Sequence, residues 1–338
     1  MKAVADAMRV PALYLRLARQ DRRAGRQLRL VQDRRAAIGA KDVILVATLR
    51  NEAFRMEAFA EHYRRLGVKH FLFVDNDSED GFMDWADRQK DVSVWHTAAS
   101  YKAAGFGMRW CNDLLRRHGT GRWCVCVDPD EFLVYPRHET RDLAALAAFL
   151  EEDRRLALHC LMLDAYSDRP LVETVLEAGA DPFEVAPFFD RDGYVQRAGW
   201  GSGVFVQGGP RLRAHFADRP EEAPALNKIP FLRWERRHHY RSSMHDAWPF
   251  RLNRPQTTGG PASTGHVTGC LFHFKFVASL KDKAAEEMER GEHYEGGREY
   301  ARYHADAAGE FFSPGLSLRY EGPEQLERLG LMSPGAWF

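Results

Sequence analysis

From residue 41 onward the chain alternates short apolar runs with stretches of helical periodicity. VILVAT (43–48) reads as a buried strand, NEAFRMEAFAEHYRRLG (51–67) as a helix ending at Gly67, HFLFVDN (70–76) as a second strand and DVSVWHT (91–97) as a third. A helix from about Phe106 to His118 comes next, then the strand WCVCVD (123–128). This rhythm predicts an α/β fold with a mostly parallel sheet flanked by helices. Sheets of that kind bind ligands outside the carboxyl ends of their strands. The polar clusters LRNE (49–52), DNDSEDG (75–81) and DPDE (128–131) each follow a strand, so three loops are expected to converge on one crevice.

Beyond residue 155 the rhythm loosens. LALHCLMLDAY (156–166) and TGCLFHFKF (268–276) predict two further strands, the second followed by a charged helical run, ASLKDKAAEEMERGEHY (278–294). Between residues 188 and 250 lie 11 aromatics among many Arg and His, most of them expected in the core. GWGSG (199–203) reads as a turn, and the carboxyl end as short helices and turns. No GxGxxG opens the first helix and no GxxxxGK[ST] occurs, which removes the usual dinucleotide and P-loop fingerprints.

Composition adds a soluble globular class: 338 residues, 45% apolar and 28% charged, suit one large domain or two ordinary ones. The longest clean apolar run, 43–49, is far short of the roughly 20 residues a spanning helix needs. Arg9, Arg16 and Arg19 interrupt the amino-terminal stretch, which argues against a secretory signal and for a cytoplasmic location. The zero net charge hides an asymmetry, since residues 1–40 hold ten Lys/Arg against three Asp. They read as a basic, partly amphipathic helical leader that packs on the domain, or else docks on a partner or makes peripheral contact with an anionic membrane at the inner face, nucleic acid being the least favoured occupant. Five cysteines without a CxxC pair read as reduced and buried.

The acidic loop 128–131 carries the chemistry. Asp128, Asp130 and Glu131 crowd the end of an apolar strand, and acids that close raise one another's pKa unless a cation sits among them. TLRNE (48–52) with its helix, VDNDSEDG (74–81), WCVCVDPDEFLVYP (123–136) and LFHFKF (271–276), in this order and spacing, resemble the bacterial glycosyltransferase family 2-like proteins of the GT-A fold. The resemblance covers roughly residues 42–300. It implies a GT-A-type nucleotide-diphospho-sugar transferase fold, and with the basic leader (1–40) the chain is expected to divide into a catalytic domain (41–290), with a nucleotide-binding half (41–135) and an acceptor half (136–290), and a helical extension (291–338).

The resemblance also implies roles. Asp130 ligates a divalent ion, Asp128 contacts the ribose or the ion through water, and Asp75 or Asp77 meets the nucleobase or ribose. Hard oxygen ligands favour Mg2+ or Mn2+, which neutralises the donor diphosphate. Asn51 and Glu52 sit on the same rim, and His273 is a third metal ligand or a core histidine. Lys275, expected on the strand face of His273, is placed to reach the diphosphate, and Lys228 is another candidate cation. For Glu131 a buttressing role is expected, while Asp77, Ser78 and Glu52 have helix-start roles as alternatives. The catalytic base is open among His245, Asp246 and Glu235, with Asp164 a further rival.

These expectations combine into a metal-dependent, hexosyltransferase-type enzyme. It moves a sugar, with inversion, from a nucleotide-sugar donor to a glycan or lipid-linked acceptor in surface polysaccharide assembly, without nucleic acid as partner. A non-catalytic glycan- or nucleotide-binding module on the same fold and a metal-dependent phosphohydrolase are the rivals.

Overall fold

The computed structural model describes residues 2–198, 204–241, 243–256, 265–280 and 311–337; GWGSG and most of the charged run 278–294 lie outside them. The chain begins with helix α1 (Lys2–Gly25) and strand β1 (Arg29–Gln32). Then come β2 (Ile44–Leu49), α2 (Ala53–Arg65), β3 (His70–Asp75), α3 (Phe82–Asp87), β4 (Val92–His96), α4 (Met108–Leu114) and β5 (Trp123–Cys126). The second half holds β6 (Glu131–Val134), α5 (Leu143–Glu152), β7 (Ala157–Asp164), α6 (Pro182–Val185), β8 (Phe188–Asp190), β9 (Val195–Ala198) and β10 (Val204–Gln207). It continues with α7 (Gly209–His215), β11 (Asn227–Arg233), β12 (His239–Tyr240), β13 (Ala247–Trp248) and β14 (Gly269–His273). The carboxyl end adds the short helix Pro323–Arg328 and, beyond the helices and turns expected there, a strand β15 (Ser317–Arg319) that pairs with β8.

Nine strands form one sheet in the order β1-β4-β3-β2-β5-β11-β7-β14-β6. Parallel pairing joins β2 to β3 and β5, β3 to β4, and β14 to β7, whereas β1, β11 and β6 run against their neighbours. Six of the nine strands therefore point the same way, and the sheet is mixed but mostly parallel. The carboxyl ends of those six share one edge with the amino ends of β11 and β6.

Both faces of the sheet are covered, as the continuous apolar runs require. Successive β2 residues point to opposite faces: Leu45, Ala47 and Leu49 pack with Met56, Phe59 and Tyr63 of α2, while Ile44 and Val46 pack with Trp110, Cys111 and Leu114 of α4. The buried α2 residues recur at helical spacing, and Met56 and Phe59 each contribute about 1.5–3 kcal/mol on burial. Gly67 takes φ +98 just past this helix, a conformation that a residue with a Cβ resists. All five cysteines are free and buried.

The leader is tied to the body. Asp21 of α1 is fully buried, accepts a hydrogen bond from Arg116 at 2.6 Å and lies 2.9 Å from His239 Nδ1. Tyr14 Oη donates to the Arg236 carbonyl at 2.8 Å. β1 adds an edge strand beside β4, with Arg29 opposite His96. No helix among the described residues is long and apolar enough to cross a membrane.

Candidate functional site

Two loops at the carboxyl edge form a rim. The loops after β2 and β3 are stitched together: Asn51 N–H donates to Ser78 Oγ at 3.0 Å, Asn51 Oδ1 accepts from Glu79 N–H at 2.9 Å, and Ala53 N–H donates to Asp80 Oδ2 at 2.6 Å. Asn51 and Asp77 both take positive φ, +52 and +65, where short polar side chains are best tolerated. Arg50 donates to the carbonyls of Asn76 and Asp77 at 2.9 and 2.6 Å. Asp75 is buried, accepting from Ser78 N–H at 3.0 Å and lying 3.1 Å from His96 Nδ1. Asp77 is half exposed, with His96 Nε2 3.7 Å from one oxygen. Glu52 starts α2 without capping it by its side chain; it pairs at 2.7 Å with Arg55, whose guanidinium donates to the Phe274 carbonyl at 3.0 Å.

The acidic loop occupies its place because of sheet order. β5 and β6 are separated by β11, β7 and β14, so residues 127–130 cross the carboxyl edge over the ends of those three strands. On the way Asp128 meets Lys228 of β11, Nζ to Oδ2 at 3.5 Å, and Asp130 meets His273 of β14, Oδ2 to Nε2 at 3.3 Å. Phe274 N–H donates to the Asp130 carbonyl at 2.8 Å and fixes the crossing point. Glu131 turns inward: it is 1% exposed, pairs with Lys228 Nζ at 2.7 Å and accepts from Asp128 N–H at 3.0 Å. That is the buttressing role expected for it.

Behind His273 lies a second layer. His273 Nδ1 is 2.7 Å from Asp164 Oδ1, and Arg211 of α7 donates to Asp164 Oδ2 at 2.7 Å. Burial pulls the imidazole down, but Asp130 and Asp164 outweigh it and hold it up at about 9. Burial would raise Asp164, yet Arg211 and His273 hold it below the ordinary value. Glu131 rises to about 7, since burial outweighs Lys228 and the neighbouring Asp128 pushes the same way. Four carboxylates thus face three basic side chains, Lys228, Arg211 and His273, and the protein itself supplies much of the positive charge that the acid crowd calls for. Arg211 carries no local sequence signal, and Lys228 carried little.

Asp130 and His273 are brought together, but Asp128 is turned to Lys228, and among the described residues no group of three His, Cys, Asp or Glu side chains is arranged to hold a metal. The strand expected through residue 276 ends at His273, so Lys275, half-buried, leaves the sheet instead of sharing the histidine's face. Of the base candidates, His245 is brought near: its Nδ1 is 2.7 Å from the Asn227 carbonyl, and burial, followed by the charges of Lys228, Arg211 and His273, depresses it well below the ordinary histidine value. Asp246 faces away, paired with Arg241 at 3.0 Å and bonded by Asn253 at 2.6 Å. Glu235 is carried to the opposite edge, because β11 runs antiparallel and Arg233 pairs with Trp123 at the start of β5. Asp164 is fully engaged by Arg211 and His273.

No model of a known protein family matches the chain. Over 114 residues, 33% of its length, the chain is 27% identical to a glycosyltransferase family 92 protein of Ricinus communis, and the matched stretch spans 19% of that relative. The similarity is weak, and it supports a glycosyltransferase at most. Family 92 is not family 2, and neither the family 2 assignment nor the bacterial source implied by the sequence motifs gains support.

Proposed function

We propose that the chain is a glycosyltransferase of GT-A type that binds a nucleotide-diphospho-sugar across the carboxyl edge of its sheet. One observation carries the reading: a strand-end acidic loop lies over His273, with Asp130 at 3.3 Å on one ring nitrogen and Asp164 at 2.7 Å on the other. The rim with Asp75 and Asp77 takes the ribose and base, and the diphosphate lies over residues 128–131, within reach of Lys275. The weak similarity to a family 92 glycosyltransferase agrees with the reaction class.

Mg2+ or Mn2+ fits these residues. Asp130 Oδ2 and His273 Nε2 would hold it, the ion displacing the proton that the two carboxylates favour on the imidazole in its absence, and a carboxylate such as Asp164 behind the far nitrogen is the usual partner of a metal-bound histidine. Two protein donors suit an ion completed by phosphate oxygens. When bound, the ion neutralises the departing nucleotide diphosphate. The chain's own residues do the rest: Arg211 and Asp164 fix the imidazole, and Lys228 holds Asp128 and Glu131 in place. His245, neutral and tied at Nδ1, offers Nε2 to the proton of the acceptor hydroxyl, which gives transfer with inversion to a glycan or lipid-linked acceptor of surface polysaccharide assembly.

The test is a panel of nucleotide sugars, with and without manganese, read by calorimetric binding and by acceptor-dependent nucleotide release. Saturable, manganese-dependent binding of one donor supports the reading. Binding of none, or phosphate release without sugar transfer, refutes it.

A further inference from the structure

Helix α1 is two-faced. At about 100° per residue, Tyr14, Leu17, Ala18, Asp21 and Ala24 fall on one side, while Arg16, Arg19, Arg22 and Arg23 with Leu15 fall within about 120° of arc on the other, and Arg26 follows in the turn just past the helix. The first side is packed, with Ala18, Asp21 and Ala24 buried. Every position of the second is exposed, Leu15 by 52%. None of the five arginines has an ion-pair partner among the described residues. Asp21, one of the two acids of the helix, points inward, where it pairs with Arg116 and lies beside His239.

Further exposed basic residues flank the helix: Tyr14, on the packed side, bonds the carbonyl of exposed Arg236, which exposed Arg237 follows, and Arg29, just past the helix, is exposed opposite His96, the residue beside Asp75 and Asp77. The exposed acid nearby, Asp33, is paired with Arg35 at 2.6 Å. A helix face that is merely solvated gains by interleaving opposite charges three or four residues apart, and like charges at those spacings repel. Arg16, Arg19, Arg22, Arg23 and Arg26 are spaced that way throughout, so the face is relieved by an anionic surface brought from outside.

We infer that this face of α1 docks the protein on an anionic lipid leaflet. The occupant is a bilayer because of Leu15: an apolar side chain amid the arginines has a place at the boundary of headgroups and acyl chains and none on a phosphate backbone. The inference goes beyond the glycosyltransferase reading and does not rest on it. It also alters the obvious test, because deleting the leader would remove buried Ala18, Asp21 and Ala24 and unseat α4.

The experiment uses the full chain with Arg16→Gln, Arg19→Gln, Arg22→Gln, Arg23→Gln and Arg26→Gln, which leave the packed side intact. Co-sedimentation is measured with phosphatidylcholine vesicles, with and without phosphatidylglycerol. The parent should bind the anionic vesicles alone and lose them as salt is raised. The variant should partition on the order of a hundredfold less, or weaker still, with an unchanged thermal midpoint. If it does not fold, the pair Arg16→Gln and Arg19→Gln is read in the same way, with a roughly tenfold loss expected. Equal partitioning of parent and variant, no binding of the parent to anionic vesicles, or arginine-dependent binding to duplex DNA without vesicle binding would each overturn the inference.

Discussion

Lys228→Met tests how the acidic loop is held. The lysine side chain is 3% exposed and the Glu131 side chain 1%, with Nζ and Oε1 2.7 Å apart and Asp128 at 3.5 Å. Methionine keeps most of the volume and removes the charge. Breaking a buried pair costs about 3–5 kcal/mol, because the surviving charge is left without a partner. Burial already raises Glu131 to about 7, with Lys228 the chief influence holding it down. Without the lysine the carboxyl takes up a proton near neutrality, which puts the loss at about 3 kcal/mol there. A carboxyl raised in the folded state stabilises below its unfolded value and loses that contribution as the pH rises through the folded one, so the deficit should grow toward pH 9. Lys228→Met with Glu131→Gln removes both charges and should recover about 2 kcal/mol. Urea unfolding followed by tryptophan fluorescence at the two pH values measures all three variants. Losses that simply add, with no coupling between the positions, would refute the reasoning.

His273 predicts a pH dependence of its own. Its pKa is raised from 6.5 to about 9, so its contribution is full below 6.5 and is lost as the pH rises through 9, about 3 kcal/mol in all. In urea titrations His273→Gln should flatten the stability profile across that window, and a parental profile already flat there would contradict the assignment. Asp164→Asn weakens the hold on both His273 and Arg211, and the manganese titration of nucleotide binding should move to concentrations about 10- to 100-fold higher. An unaltered titration would remove Asp164 from its positioning role.

The parts of this architecture legible in the sequence are those set by local pattern. Strands β2 to β5 read as continuous apolar runs because both of their faces are covered, and α2 shows its buried face at helical spacing. β11 did not read as a strand, since Pro230 interrupts NKIPFLR; the structure accommodates it at a register shift between Lys228 and Phe231. β6 was hidden for another reason: its first residue, Glu131, belongs to the acidic cluster, and a buried carboxylate at a strand start is legible only once Lys228 is beside it.

The site divides along the same line. Asp75 ends a strand and Asp128 and Asp130 follow one, so all three are placed on the crevice by order alone. Lys228 and Arg211 come from elements far along the chain, and their approach depends on β11 and β7 lying between β5 and β14, which no local pattern encodes. Glu235 lies at the opposite edge for the same cause, because the direction of β11 decides which edge its end reaches. Asn51 is on the rim as expected, but its side chain joins one loop to the other instead of standing free.

The central claim is that Asp130 belongs to a nucleotide-sugar site, and Asp130→Asn addresses it most directly. The substitution keeps the side chain's shape, and the loop stays anchored by the Asp130 main-chain carbonyl accepting from Phe274 N–H. Calorimetric titration of the donor in manganese should show affinity at least about tenfold below that of the parent, the cost expected on losing one charge-assisted contact. Glu235→Gln, at the opposite edge of the sheet, should bind as the parent does. Parental affinity and parental manganese dependence in Asp130→Asn would contradict the account.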